Sequence, residues 1–155
     1  MLSRKTMNID TLDKKILNFL QKDARISFVK IARQLGVSEG TVHLRVKKLI
    51  EEGVIKGFYT ILDPEKVGLP IRAFIGLQAD PSLYESILKK LSEIDGVCGI
   101  YDVTGEFSAL IDVKVGDKSE LTRVIDQVGA IPGVKNTVTM LVLRVLKEEF
   151  EVAIR

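Results

Sequence analysis

A segment that recurs at a fixed offset is what most constrains the architecture of this chain. Residues 87–97, ILKKLSEIDGV, align with residues 124–134, VIDQVGAIPGV, at an offset of 37. Both carry Ile, Leu or Val at the first, second, fifth and eighth places, Gly at the tenth and Val at the eleventh. Apolar residues at helical spacing, then glycine, then a β-branched run describe an amphipathic helix that stops and is followed by a strand. Strand-like runs precede each helix, at 71–79 (IRAFIGLQA) and 108–115 (SALIDVKV), and others follow, at 97–104 (VCGIYDVT) and 136–146 (NTVTMLVLRVL). The order is therefore βαββαβ, a ferredoxin-like domain whose right-handed crossovers put both helices on one sheet face. Ile71, Ala73, Ile75 and Leu77 alternate with Phe74 and Gly76, and Met140, Val142 and Val145 add apolar surface. Both faces read as too apolar for water, so the open one is expected to be covered by a second copy, making a homodimer.

Asp63-Pro64 and Gly68-Leu69-Pro70 interrupt the pattern upstream and mark a link. They divide the chain into domains at 1–63 and 64–155. The first contains SFVKIARQLGVSEGTVHLRVKKLIEEG (27–53). Phe28, Ile31, Ala32 and Leu35 make one helix face, Ser27 suits its N-cap, Gly36 its left-handed end and Ser38 the next N-cap. In the second helix Val42, Val46 and Leu49 form the buried stripe. Gly40, Thr41, Leu44, Lys47 and Lys48 point away from it, with His43 and Arg45 on the flanks. An upstream helix capped by Asp10 and carrying Leu12, Ile16, Phe19 and Leu20 completes three helices, and VIKGFYTIL (54–62) reads as a strand. The whole is α+β: an N-terminal winged helix-turn-helix domain plus the C-terminal βαββαβ domain. Two helices joined at a glycine turn, the second presenting basic and small polar groups, form the unit that enters a DNA major groove. Ser38, Glu39, Thr41, His43, Arg45, Lys47 and Lys48 are the candidate contacts to double-stranded DNA.

Charge distribution supports this. The net charge of the chain is only +2, but residues 1–63 hold 12 Lys and Arg against 7 Asp and Glu, net +5. Residues 64–155 hold 11 against 14, net −3. The helix-turn-helix half is thus the basic half, as attraction to phosphates requires. Cys98 is the single cysteine and excludes an internal disulfide. Its apolar neighbours Val97, Ile100 and Val103 suggest a buried structural thiol. No secretory leader or membrane span is expected, and the cytoplasm is the default location.

LDKKILNFLQKDARIS (12–27), IARQLGVSEGTVHLRVKKLIEEGVIKGFYTILDPEKVG (31–68), YDVTGEFSALIDVKV (101–115) and IPGVKNTVTMLVL (131–143) together resemble the Lrp/AsnC family of transcription regulators. That resemblance implies dimers assembling further, often to octamers, with amino-acid effectors bound between dimers in the C-terminal domain. It places the effector at the loop after the second strand, here Thr104, Gly105, Glu106, Phe107 and Ser108. Thr137 and Thr139 are candidate neighbours for the effector's side chain. A Gly turn can offer backbone N–H groups to a carboxylate, and Glu106 can accept from an ammonium. The family frequently has Asp where Ser108 stands, which keeps open an architectural DNA-binding protein with no effector. An Lrp-like enzyme is the remaining alternative. Residues 64–155 contain no His and only Arg72, Arg123, Arg144 and Arg155. No catalytic set, metal-ligand cluster or phosphate loop stands out, so no catalytic residues, metal or cofactor are expected.

Overall fold

A computed structural model describes residues 8–154. The chain forms two compact units: residues up to Thr60 together with the tail from Lys147, and Ile61–Leu146. The tail from Lys147 thus belongs with the N-terminal unit.

The first unit holds α1 (Thr11–Lys22), α2 (Phe28–Leu35) and α3 (Glu39–Glu51). Their ends follow the sequence signals. Asp10 and Asp13 form a capping box on α1, and the Ser27 hydroxyl accepts from Lys30 N–H at the start of α2. Gly36 ends α2 in the left-handed region at φ 68°. Ile16, Leu20, Ile31, Ala32, Val42 and Val46 form the core between the three helices, with Phe28 and Leu35 packed against it.

The strand expected at 54–62 is not formed. Its β-branched and aromatic content suits a strand, but among the described residues no other segment pairs with it, and a strand without a partner has no ladder. Phe58, Tyr59, Ile61 and Leu62 are accordingly exposed.

In the second unit β1 (Ile71–Ala79), α4 (Tyr84–Leu91), β2 (Val97–Asp102), β3 (Ala109–Val115), α5 (Lys118–Gly129) and β4 (Val134–Leu141) follow in the expected order. All pairings are antiparallel, and the strands lie as β2-β3-β1-β4. Ile75, Leu77, Ile111 and Val113 from the sheet pack with Ile87 and Leu91 of α4 and Val124 and Val128 of α5, so both helices cover one face. β4 stops short of the expected 146: the last backbone bond runs from Val142 N–H to Arg72 O, where β1 is almost spent.

The opposite face is less apolar than expected. Phe74, Leu110, Val138 and Met140 lie on it, but so do Arg72, Gln78, Asp112 and Lys114. Asp112 is only 5% exposed and is gripped by Arg72, whose Nε donates to Oδ1 and NH2 to Oδ2, both at 2.9 Å. The same guanidinium stacks over the Phe74 ring at 5.1 Å. Cys98 is exposed rather than buried. The register of β2 against β3 shifts between Val97 and Gly99, and the extra residue at this sheet edge leaves the ladder.

Candidate nucleic-acid interface and effector loop

α3 begins at Ser38, whose Oγ accepts from Thr41 N–H at 3.0 Å and lies 2.8 Å from the Thr41 hydroxyl. The two hydroxyls therefore form one local polar patch at the helix N-terminus, beside exposed Glu39. One turn on, the ring of exposed His43 meets that of Phe28 edge-to-face at 5.3 Å, which ties α3 to α2. Leu44, Lys47 and Lys48 are all exposed, and Lys47 has only a 3.8 Å approach to Glu51 on its own helix. Such a surface pair leaves Lys47 able to meet another anion.

Arg45 has a different situation. Its guanidinium is bonded to Asp10 and lies 3.2 Å from Asp13, the box that caps α1. Asp13 is 2% exposed. The structure thus gives Arg45 an internal task, fastening α3 to the start of α1. The Asp13 N–H, and then the Arg45 guanidinium, hold the Asp10 carboxyl below its ordinary 3.8. A depressed carboxyl contributes stability above its unfolded value and loses it as pH falls through the lower folded value, so this fastening persists in mild acid. Arg45→Ala should lower the denaturant midpoint of the N-terminal unit, because it strips the buried Asp13 carboxylate of its charged donor. A denaturant midpoint equal to wild type would show that the pair does not hold α3 to α1.

Residues 103–108 connect β2 to β3 and contain the second set of candidates. Gly105 has φ 116°, a conformation that side-chain-bearing residues rarely adopt. The loop is fastened from several directions. Gln78 Nε2 donates to Glu106 O at 3.2 Å. Ser108 N–H donates to Leu77 O at 2.7 Å, and its Oγ accepts from Ala79 N–H at 3.2 Å. The Phe107 ring lies flush on Gly76, where an added Cβ would come within 2.7 Å of it. Tyr84 of α4 spans both ends of the loop: its phenol bonds the Asp102 carboxylate and lies 2.9 Å from Ser108 O. Burial, and then the Asp102 carboxylate, push the Tyr84 phenol up to about 12, so it remains a neutral donor at physiological pH.

Within this held loop the N–H groups of Thr104, Gly105, Glu106 and Phe107 make no hydrogen bond among the described residues. The Glu106 side chain is exposed. Thr137 and Thr139 do not join the site. They pair with Leu77 and Ile75, whose side chains face the helices, whereas Phe107 covers Gly76 from the other side. The two-residue period of the strand separates them from the loop. Tyr84, Gln78 and Gly76 were not among the residues expected from sequence. Only Gly76 leaves a trace there, as a glycine inside a strand pattern, which signals close approach of another group.

A basic helix-turn-helix unit joined to a βαββαβ unit with a fastened loop defines a two-part DNA-binding regulator. Residues 9–56 match the family model described as winged helix-turn-helix DNA-binding, and residues 72–152 match the Lrp/AsnC ligand binding domain. The HTH-type transcriptional regulator FL11 of Pyrococcus furiosus is 36% identical over 147 residues, covering 95% of this chain and 97% of that protein. The structure of E. coli AsnC superposes with a TM-score of 0.87 at 33% identity, covering 92% of this chain and 97% of that one. A feast or famine regulatory protein from M. tuberculosis, complexed with L-methionine, superposes with a TM-score of 0.86 at 26% identity, covering 93% and 98%. The chain belongs to the Lrp/AsnC family of transcription regulators: it is a DNA-binding regulator with a ligand-binding domain, and not an enzyme. Among the described residues no helix is long and apolar enough to cross a membrane.

Proposed function

We propose that this regulator reads double-stranded DNA through α3 and responds to an amino acid held at the loop 104–108. Ser38, Thr41, Lys47 and Lys48 are the DNA contacts, with Glu39 and His43 at the margins and Arg45 orienting the helix from behind. The observation that carries the effector reading is the loop itself. Four backbone N–H groups that make no hydrogen bond among the described residues stand in a turn fastened by Tyr84, Gln78 and Phe107, beside the exposed Glu106 carboxylate. The donors suit an α-carboxylate and Glu106 suits an ammonium. L-methionine in the similar M. tuberculosis protein supports an amino acid as the class.

The protein acts as a homodimer built on the open sheet face. Val138 and Met140, 39% and 40% exposed, flank Phe74 and Leu110 there, and a second copy would cover them. Two α3 helices then address two half-sites. Effector bound where dimers meet favours whichever assembly completes its pocket, with an octamer as the expected end point. The second reading is an effector-independent architectural DNA-binding protein. It is favoured by Ser108, whose hydroxyl is engaged by Ala79 N–H and offers a ligand no carboxylate.

Calorimetry with the twenty amino acids, with sedimentation at each end point, tests the proposal. Wild type should sediment as a dimer or larger and bind at least one amino acid with a change in assembly. Gly105→Val, which forces a β-branched residue into a left-handed turn, should keep the dimer and lose both responses. A stable monomer would refute the sheet-face dimer. Absence of amino-acid binding would select the architectural reading, and equal binding by both proteins would move the site elsewhere.

A further inference from the structure

The tail beyond the sheet domain makes a specific contact that neither the DNA-reading nor the effector role uses. Gln21, in the last turn of α1, meets the backbone of Val152 in both directions. Its Nε2 donates to Val152 O at 3.1 Å, and Val152 N–H donates to its Oε1 at 2.8 Å. This pair of bonds is what one strand residue exchanges with a neighbour in an antiparallel ladder, here supplied by a carboxamide. The side chains of Phe150 and Val152 remain exposed, whereas Ile154 is partly covered. Recognition therefore lies in the main chain at Val152 rather than in an apolar pocket.

We propose that α1 carries a docking surface for an extended peptide segment, and that its occupant is the chain's own C-terminal segment, residues 148–154. Net charge is complementary: residues 148–154 hold Glu148, Glu149 and Glu151 and no base, with Glu149 paired to Lys147 at 3.0 Å, while α1 and the turn after it hold Lys14, Lys15, Lys22 and Arg25 against Asp13 and Asp23. The tail follows the sheet domain in the chain and meets α1 through these two hydrogen bonds. They fall on the helix whose opposite end, Asp10 and Asp13, is gripped by Arg45 of α3. α1 is thus touched at one end by the tail and at the other by α3.

Residue-resolved hydrogen exchange on the full-length protein tests the docking. Two net-favourable bonds should slow the Val152 amide roughly tenfold or more relative to the free peptide KEEFEVAIR. Gln21→Ala should return it to the free-peptide rate while the amides of α3 keep theirs. Gln21→Glu retains the acceptor for Val152 N–H but loses the donor to its carbonyl, and should give an intermediate rate. A wild-type Val152 amide that exchanges as fast as in the peptide, or one equally slow in Gln21→Ala, would overturn the proposal. Neither result depends on whether an effector exists.

Discussion

Arg72→Ala is expected to destabilise the sheet domain by about 3–5 kcal/mol, the largest loss from any single polar substitution in it. The reason is the position of Asp112. It sits in the middle of β3 at 5% exposure, with both carboxylate oxygens engaged by one guanidinium at 2.9 Å. Removing Arg72 leaves a carboxylate facing Phe74 and its apolar neighbours without that cation. A dimer contact on this face would deepen the burial rather than relieve it. The double variant Arg72→Met with Asp112→Leu should recover most of the loss, because the desolvation cost disappears along with the attraction. Chemical denaturation of the three proteins measures this directly. A loss below about 1 kcal/mol for Arg72→Ala, or a double variant no more stable than the single, would show that the pair is not a closed unit.

The second large effect concerns DNA. Lys47→Glu combined with Lys48→Glu should weaken binding roughly 100-fold at moderate salt, since two attractions to phosphate become two repulsions. The dependence of log K on log salt should flatten by about 0.9 for each phosphate that the protein no longer neutralises. Stability should change little. Both side chains are exposed, and Lys47 has only the weak Glu51 neighbour. Lys48 lies in the last helical turn, where reversal of charge costs a few tenths of a kcal/mol against the helix dipole. Titrations at several salt concentrations, with circular dichroism to confirm the fold, are the measurement. Unchanged affinity and slope would remove this side of α3 from the interface and leave its Ser38 and Thr41 end as the candidate.

The Arg45→Ala variant helps interpret any such weakening. Its fault should be visible without DNA, as lower stability of the N-terminal unit, whereas that of the Lys47 and Lys48 variant should be visible only with DNA. A recognition helix can fail through the groups it presents or through its seating, and these two substitutions separate the causes.

What the sequence determined by itself is local. Ser27, Gly36, Ser38 and Asp10 could be read as helix ends because a cap acts on N–H groups within three or four residues of itself. The offset repeat revealed the order of β1 to β4 because helix and strand periods are imprinted residue by residue. The family and the basic character of the reading unit were legible for the same reason. Tertiary structure decided everything that depends on which segments meet. VIKGFYTIL has the β-branched and aromatic content of a strand but finds no partner among the described residues, and β4 ends where β1 runs out. Arg45 reads from the sequence as a DNA contact, and nothing local announces its bonds to Asp10 and Asp13, 35 and 32 residues away. Thr137 and Thr139 belong with the loop by proximity in the sheet, yet strand register turns them to its other face. The pairs Arg72–Asp112 and Gln21–Val152 span 40 and 131 residues. Nothing in the local pattern of either partner announces the other, since the energy of such a contact exists only after the intervening chain has folded.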